Sequence, residues 1–149
     1  MLLQGILNVT ELASLKVITY GTERMDQATL DQLCQALPHV DFRQTYGMSE
    51  FGIMRVKSRA RNSVWMMVGG EGGEIRAVDG VLHIRTVNRM LGYLNAPSPF
   101  DAEGRYDTGV IVEQDEAYLK VISRSKQVIN VGGVKILPDE LERVAMLHP

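Results

Sequence analysis

Tyr118-Leu-Lys-Val-Ile-Ser-Arg124-Ser-Lys126-Gln-Val-Ile-Asn-Val-Gly132-Gly133-Val-Lys-Ile-Leu-Pro138-Asp-Glu140-Leu-Glu142 is the stretch whose reading decides the fold. Residues 118–122 alternate and are rich in β-formers, which predicts a strand. Residues 123–126 are a short polar break carrying two cations. Strand character returns over 127–131, and Gly132-Gly133 permits a tight turn at positive φ. Residues 134–137 are apolar again. Pro138 fits the first position of a helix, with Asp139, Glu140 and Glu142 near its positive end.

Working back towards the N-terminus, residues 9–14 read as a short helix end or loop, and 15–20 (Leu-Lys-Val-Ile-Thr-Tyr) as a buried strand. Asp26 is a plausible N-cap, and Leu30, Leu33, Ala36 and Leu37 form a helical stripe that Pro38 closes. Residues 40–45 predict a second strand. Strand, helix and strand in this order make a βαβ unit. Ligands of such sheets gather beyond the carboxyl ends of the strands. Gly21-Thr22-Glu23 and Tyr46-Gly47-Met48-Ser49-Glu50 both lie there. After Phe51 the texture changes to short strands at 53–56, 64–68, 74–78, 81–86, 106–112 and 117–122. Asp79-Gly80 is a hairpin signal between two of them. A small, mostly antiparallel and barrel-like subdomain is expected. Residues 69–73 read as a linker, since no lysine or helix start follows to make a phosphate cradle. Residues 90–105 read as a loop.

The 149 residues suffice for a real core, and 45% hydrophobic with 23% charged residues is ordinary for a globular chain. A net charge of −2 leaves no electrostatic footprint for nucleic acid or an anionic membrane. The single Cys34 excludes an internal disulfide and suits a reducing compartment. No signal peptide or membrane-spanning run is read, so a cytoplasmic location is expected. His39, His83 and His148 lack the spacing of metal ligands.

The chemistry concentrates at Tyr46 to Glu50. A tyrosine at a strand end can stack on a flat ring, and Gly47 lets backbone approach a ligand. Ser49 can bond a phosphate oxygen, and Glu50 can hold a hard cation such as Mg2+. Together with the order of elements after Tyr118, these residues resemble the AMP-forming adenylating enzymes, a superfamily that includes acid–CoA ligases and the adenylation domains of nonribosomal peptide synthesis. Its pattern Gly-Arg-x-(Lys or Asp), strand, Gly-Gly, Pro-x-Glu-(Ile or Leu)-Glu is matched by Arg124, Lys126, Gly132, Gly133, Pro138, Glu140, Leu141 and Glu142, with Ser123 replacing the first glycine. Gly21-Thr22-Glu23 and Tyr46 to Glu50 resemble the adenine segment and Tyr-Gly-x-(Thr or Ser)-Glu. Gly73-Glu74 and Gly92-Tyr93-Leu94-Asn95 match two further landmarks, to which only a structural role is given.

The resemblance implies nucleotide contacts from Gly21, Thr22, Glu23, Tyr46, Gly47 and Arg124, the last bonding ribose. It implies an α-phosphate contact from Ser49 and Mg2+ ligation by Glu50. Lys126 would be the hinge of a mobile C-terminal domain, and Gly132 and Gly133 would line a thiol tunnel. The implied fold class is α/β: the βαβ portion of a doubly wound sheet (1–50), a β-barrel-like subdomain (51–123), and the start of the C-terminal domain (124–149). The implied reaction is ATP-dependent activation of a carboxylic acid as acyl-adenylate, then transfer to CoA; loading of a carrier-protein phosphopantetheine, or a non-catalytic nucleotide- or partner-binding module, stays open. Gly104 to Val110 resembles Gly-(Trp or Tyr)-x-Thr-Gly-Asp, but Val110 stands where the ribose-binding aspartate is expected; if the fold places it at the ribose position, Val110→Asp is expected to strengthen AMP binding. The phosphate loop and the terminal lysine of such enzymes are not found, so the chain reads as a fragment. Its cut faces, at 1–7, 15–20 and 138–147, are expected to drive homo-oligomerisation.

Overall fold

The structure, a computed structural model, describes residues 8–70, 72–132 and 134–145. The expectations placed on residues 1–7, Gly133, Leu147 and His148 lie outside the described residues.

Asn8 caps a single 3-10 turn over Val9–Leu12, its side chain accepting from the Thr10 amide at 3.2 Å. Strand β1 (Val17–Tyr20) then runs parallel to β2 (Asp41–Gln44), Val17 opposite Asp41 and Tyr20 opposite Gln44. Parallel neighbours need a crossover, and α1 (Gln27–Ala36) supplies it. Asp26 caps this helix by accepting from the Thr29 amide at 2.9 Å. Its buried face holds Leu30 and Cys34, one turn apart, which join Leu37, Val40, Phe42 and Val64 in one apolar cluster.

Strands β3 (Tyr46–Met48) and β4 (Gly52–Met54) pair only with each other among the described residues. The strand expected over 53–56 is broken at Arg55. Its carbonyl accepts from the Gly69 amide at 3.1 Å, and the chain passes there from this hairpin to a different sheet. That sheet comprises β5 (Val56–Ser58), β6 (Met66–Val68), β7 (Glu74–Val78), β8 (Val81–Arg85), β9 (Arg105–Asp115) and β10 (Tyr118–Arg124). Its order is β5-β6-β10-β9-β8-β7, every pair antiparallel, so it curls into a half-barrel and stays open at β5 and β7. Asp79 and Gly80 turn between β7 and β8 with φ of 50° and 77°, the positive pair that matches strand twist. The inner face buries Leu82, Ile84, Val110, Val112 and Leu119 with Phe51.

The basic pair at 124–126 is not one loop. Arg124 ends β10, and Ser125–Gln127 forms a 3-10 turn. Strands β11 (Ile129–Val131) and β12 (Val134–Ile136) follow as a tight hairpin, Val131 opposite Val134, with Gly132 at φ 57° in the turn. Helix α2 (Pro138–Ala145) starts on the proline.

Arg61 ties the half-barrel to the βαβ unit. Its Nε donates to the Val40 carbonyl at 2.7 Å, and its terminal nitrogens donate to the carbonyls of Cys34, at 3.3 Å, and Leu37. The guanidinium also lies 5.3 Å from the centre of the Phe42 ring. A cation thus meets the negative end of α1, where carbonyls lack helical partners. Replacing Arg61 by Met removes a donor from the part-buried carbonyls of Cys34, Leu37 and Val40, of which Leu37 still accepts from the Val40 amide at 3.2 Å, and we expect a loss of about 2–4 kcal/mol by urea denaturation. A loss under about 0.5 kcal/mol would remove Arg61 from this role.

Candidate functional site

Two strand ends converge on the site. The Thr45 amide and hydroxyl both donate to the Tyr20 carbonyl, at 2.8 and 3.1 Å, and draw the ends of β1 and β2 together. A Cβ on Gly21 would sit 2.1 Å from Thr45 Oγ1, so only glycine passes there. Thr22 follows at φ 71°, a conformation that a β-branched residue adopts only under constraint. Gly21-Thr22-Glu23 and Tyr46 are therefore neighbours, as the strand-end argument requires. Gly47 answers a packing demand. A Cβ would lie 2.5 Å from the Gly52 carbonyl oxygen and 2.9 Å from Ile53 Cα, so the close approach at Gly47 is to β4.

Glu50 is the chemical centre. Among the described residues it is one of three buried polar or charged ones, at 9% exposure. Its Oε1 accepts from the hydroxyls of Tyr93 and Tyr106, the latter at 2.9 Å. Its carbonyl accepts from the Met90 amide at 2.8 Å. Tyr106 is fixed in β9 and packs edge-on to Phe51, with ring centres 6.1 Å apart, and against Phe100 at 5.8 Å. Tyr46 also stacks on Phe51, with ring centres 6.5 Å apart and its hydroxyl buried. An aromatic tier thus supports the carboxylate. Ser49 is exposed in the turn before it.

Irregularities in β9 and β10 shape the rim. The β8–β9 register shifts between Val81 and His83, and in the bulge the Thr108 hydroxyl donates to the Leu82 carbonyl at 2.7 Å while accepting from the Val110 amide at 3.0 Å. Asp107 caps the bulge by accepting from the Gly109 amide at 2.8 Å. The β9–β10 register also shifts, between Val121 and Ser123, and sets Arg124 opposite Val110. Residues directly opposite share a sheet face, so Arg124 lies on the face of Tyr106, Thr108 and Val110. It is solvent-exposed there, and its charge acts on both Glu50 and Tyr46.

Val110 is only 4% exposed and belongs to the half-barrel core. The expectation that Val110→Asp strengthens AMP binding is conditional on Val110 standing at a ribose site. Here the carboxylate would first have to be desolvated among Leu82, Ile84 and Val112. The variant is expected to lose stability before anything else. Lys126 is exposed in the 3-10 turn, and Gly132 is exposed between β11 and β12; among the described residues no hydrogen bond or ion pair links either to Glu50.

The two tyrosines and Thr108 were absent from the residues singled out for chemistry. Tyr93 carried a faint signal, as a phenol in a loop quoted for its spacing, and Tyr106 and Thr108 stood in the quoted Gly104 to Val110 motif with no chemical role given to them. The hydroxyl partners of this buried carboxylate come from a loop and a strand distant in sequence. An open cleft of about 470 Å³ lies elsewhere, lined by Thr19, Arg43, Thr45, Met54, Val56 and Arg61 among others. No group of three or more metal-ligating side chains occurs among the described residues.

Burial alone would raise the Glu50 pKa, but the Tyr93 bond, its own backbone, the Tyr106 bond and the Arg124 charge outweigh this and hold it below the usual value. Burial pushes the Tyr46 phenol up to about 12. A depressed carboxylate stabilises the fold above its unfolded pKa, near 4.3, and loses that contribution as pH falls through the folded value. Wild type is expected to exceed Glu50→Gln in stability at pH 7, with the gap closing in chemical denaturation below about pH 4. A gap independent of pH would contradict the assignment.

No protein-family model matches the chain. It is 31% identical over 159 residues to 4-coumarate–CoA ligase-like 6 of Arabidopsis thaliana, covering 91% of this chain and 28% of that protein. It is also 31% identical over 160 residues to enterobactin synthase component E of Escherichia coli strain K12, covering 93% and 30%. An E. coli MenE variant with bound OSB-AMS superposes with a TM-score of 0.72 at 26% identity, over 95% of this chain and 32% of the other. Fatty acyl-adenylate ligases from E. coli and L. pneumophila share the fold, with a TM-score of 0.75 at 22% identity over 98% and 36%. The chain spans less than a third of the length of the curated relatives described, and over that span it belongs to the superfamily of AMP-forming adenylating enzymes.

Proposed function

We propose that this chain carries the nucleotide-handling floor of an ATP-dependent acid–CoA ligase, which activates a carboxylic acid as acyl-adenylate and passes it to a thiol. The observation that carries this reading is the buried, ionised Glu50 beside the joined ends of β1 and β2, with the Arg124 charge acting on it. In this reading Gly21, Thr22 and Glu23 border the base, and Tyr46 closes the other side. Ser49, exposed in its turn, donates to the α-phosphate. Arg124 reaches the ribose from the sheet face opposite Val110.

The donor set fits a nucleotide-bound Mg2+. Such ions usually take one or two carboxylates and complete their shell with water and substrate phosphates. Glu50 supplies one carboxylate, and a full protein cage is not needed. When bound, the ion would neutralise charge on the phosphates. Tyr106 holds the Glu50 side chain in its rotamer, and the aromatic tier keeps water from beneath it. Lys126 and the Gly132 turn belong, in this proposal, to the hinge and the thiol path of a mobile domain that reorients between the two half-reactions. The acceptor is CoA, with carrier-protein phosphopantetheine as the alternative.

The half-barrel core favours a second reading. With Val110 packed among aliphatic residues, no carboxylate stands opposite Arg124 to accept from ribose hydroxyls, which suits a nucleotide-binding module without catalysis. No helix of the described residues is long and apolar enough to cross a membrane. Cys34 is buried and free, and we place the protein in the cytoplasm on that ground. Homo-oligomerisation is favoured by β1, which has no partner but β2 among the described residues, and by exposed Val17, Leu141 and Val144. Static light scattering at micromolar concentration should report a dimer or larger species, and a monomer would refute this.

Binding of AMP with Mg2+, measured by calorimetry, tests the main reading. Glu50→Gln and Arg124→Met should each weaken it about tenfold or more, as the loss of a charge-assisted contact does. Affinity unchanged in both variants would contradict it.

A further inference from the structure

Both phenols meet Glu50 on the same oxygen. Oε1 accepts from Tyr93 and, at 2.9 Å, from Tyr106, and the two hydroxyls also bond each other. A carboxylate oxygen has two lone pairs, so this cluster engages Oε1 on both. Oε2 differs. It accepts from no group among the described residues, and it is not one of the unpartnered side-chain atoms sealed from solvent. The carboxylate thus has one engaged oxygen and one presented oxygen. The arrangement is held from several sides. Tyr106 belongs to β9 and packs against Phe51 and Phe100, and the Met90 amide fixes the Glu50 carbonyl at 2.8 Å. A half-turn of the carboxyl only exchanges the two oxygens, so one is always engaged.

We infer that Tyr93 and Tyr106 fix the denticity of Glu50: by occupying Oε1 they leave Oε2 as the single oxygen that a divalent cation takes, which selects Mg2+ over Ca2+. The inference rests on the reading of Glu50 as cation ligand. Ca2+ gathers more oxygens than Mg2+ and often takes both from one carboxylate, whereas Mg2+ demands a tight octahedron and keeps several waters. Ligation through Oε2 alone disturbs nothing in the phenol cluster and suits the smaller ion. Chelation through both oxygens would break the cluster and leave a hydroxyl without its acceptor. Neither phenol touches the cation; both are positioning residues.

AMP binding to the full chain, measured by calorimetry in Mg2+ and again in Ca2+ at the same free concentration, tests this. The proteins are wild type, Tyr93→Phe, Glu50→Gln and the double variant. Tyr93→Phe keeps the ring, frees one lone pair of Oε1 beside the Tyr106 bond, and spares the core because the residue is 44% exposed. It should improve AMP affinity in Ca2+ about tenfold and leave that in Mg2+ within about twofold. The gain should vanish in the double variant. In infrared difference spectra against Glu50→Gln, wild type should show the wide carboxylate splitting of one-oxygen ligation in both cations, and Tyr93→Phe should narrow it in Ca2+. A phenol that only supports the loop would change AMP affinity equally in the two cations. That result would overturn the inference and leave the reading of Glu50 intact. Glu50→Gln binding AMP as wild type does in both cations would overturn both.

Discussion

The burial of one carboxylate beneath a sheet mouth is the constraint on which the rest of this structure depends. A desolvated, ionised Glu50 is tolerable only if donors surround it. Those donors come from Tyr93 and Tyr106, far along the chain, while the Glu50 carbonyl holds the Met90 amide. One residue thus joins the end of the β3–β4 hairpin, the long loop after β8 and the centre of the half-barrel. The Phe51 ring, next in sequence, carries the apolar side of the same junction by packing against both Tyr46 and Tyr106. Polar and apolar contacts at this point reinforce each other.

A second junction works by the same principle with opposite charge. Arg61 satisfies carbonyls at the end of α1 and beyond it, in a place where bare backbone groups would be costly. It holds the βαβ unit against the first strands of the half-barrel, and Val64 from the same loop enters the core under α1. Between them, Glu50 and Arg61 set how the sheet mouth faces the strand ends. Two register shifts then finish the rim, one aiming Arg124 and the other recruiting Thr108 into the backbone network.

Much of this was legible in the residues. Helix α1 could be bounded because Asp26 and Pro38 are local signals, and the β7–β8 hairpin because Asp79-Gly80 is one. The glycine turn and Pro138 marked β11, β12 and α2. The strand ends pointed to Gly21 and Tyr46 without any contact being known, since parallel βαβ geometry alone brings them together. Tyr93 and Tyr106 both stand in motifs visible in the sequence, but their pairing with Glu50 was not legible, because it joins positions more than forty residues apart. The role of Val110 was also hidden. Alternation along β9 puts it inside, but the bulge at Thr108 and Gly109 had to be seen before its facing could be assigned. At Gly47 the close approach of Gly52 and Ile53 adds a packing demand that the sequence did not show.

In the proposed function the nucleotide sits at the Glu50 mouth and not in the open cleft lined by β2 and β5. Backbone amide chemical shifts during titration with a non-hydrolysable acyl-sulfamoyl adenosine decide between them. The account predicts shifts concentrated at Gly21, Thr22, Tyr46, Ser49, Glu50 and Arg124. Shifts confined to Thr19, Arg43, Met54, Val56 and Arg61 would contradict it.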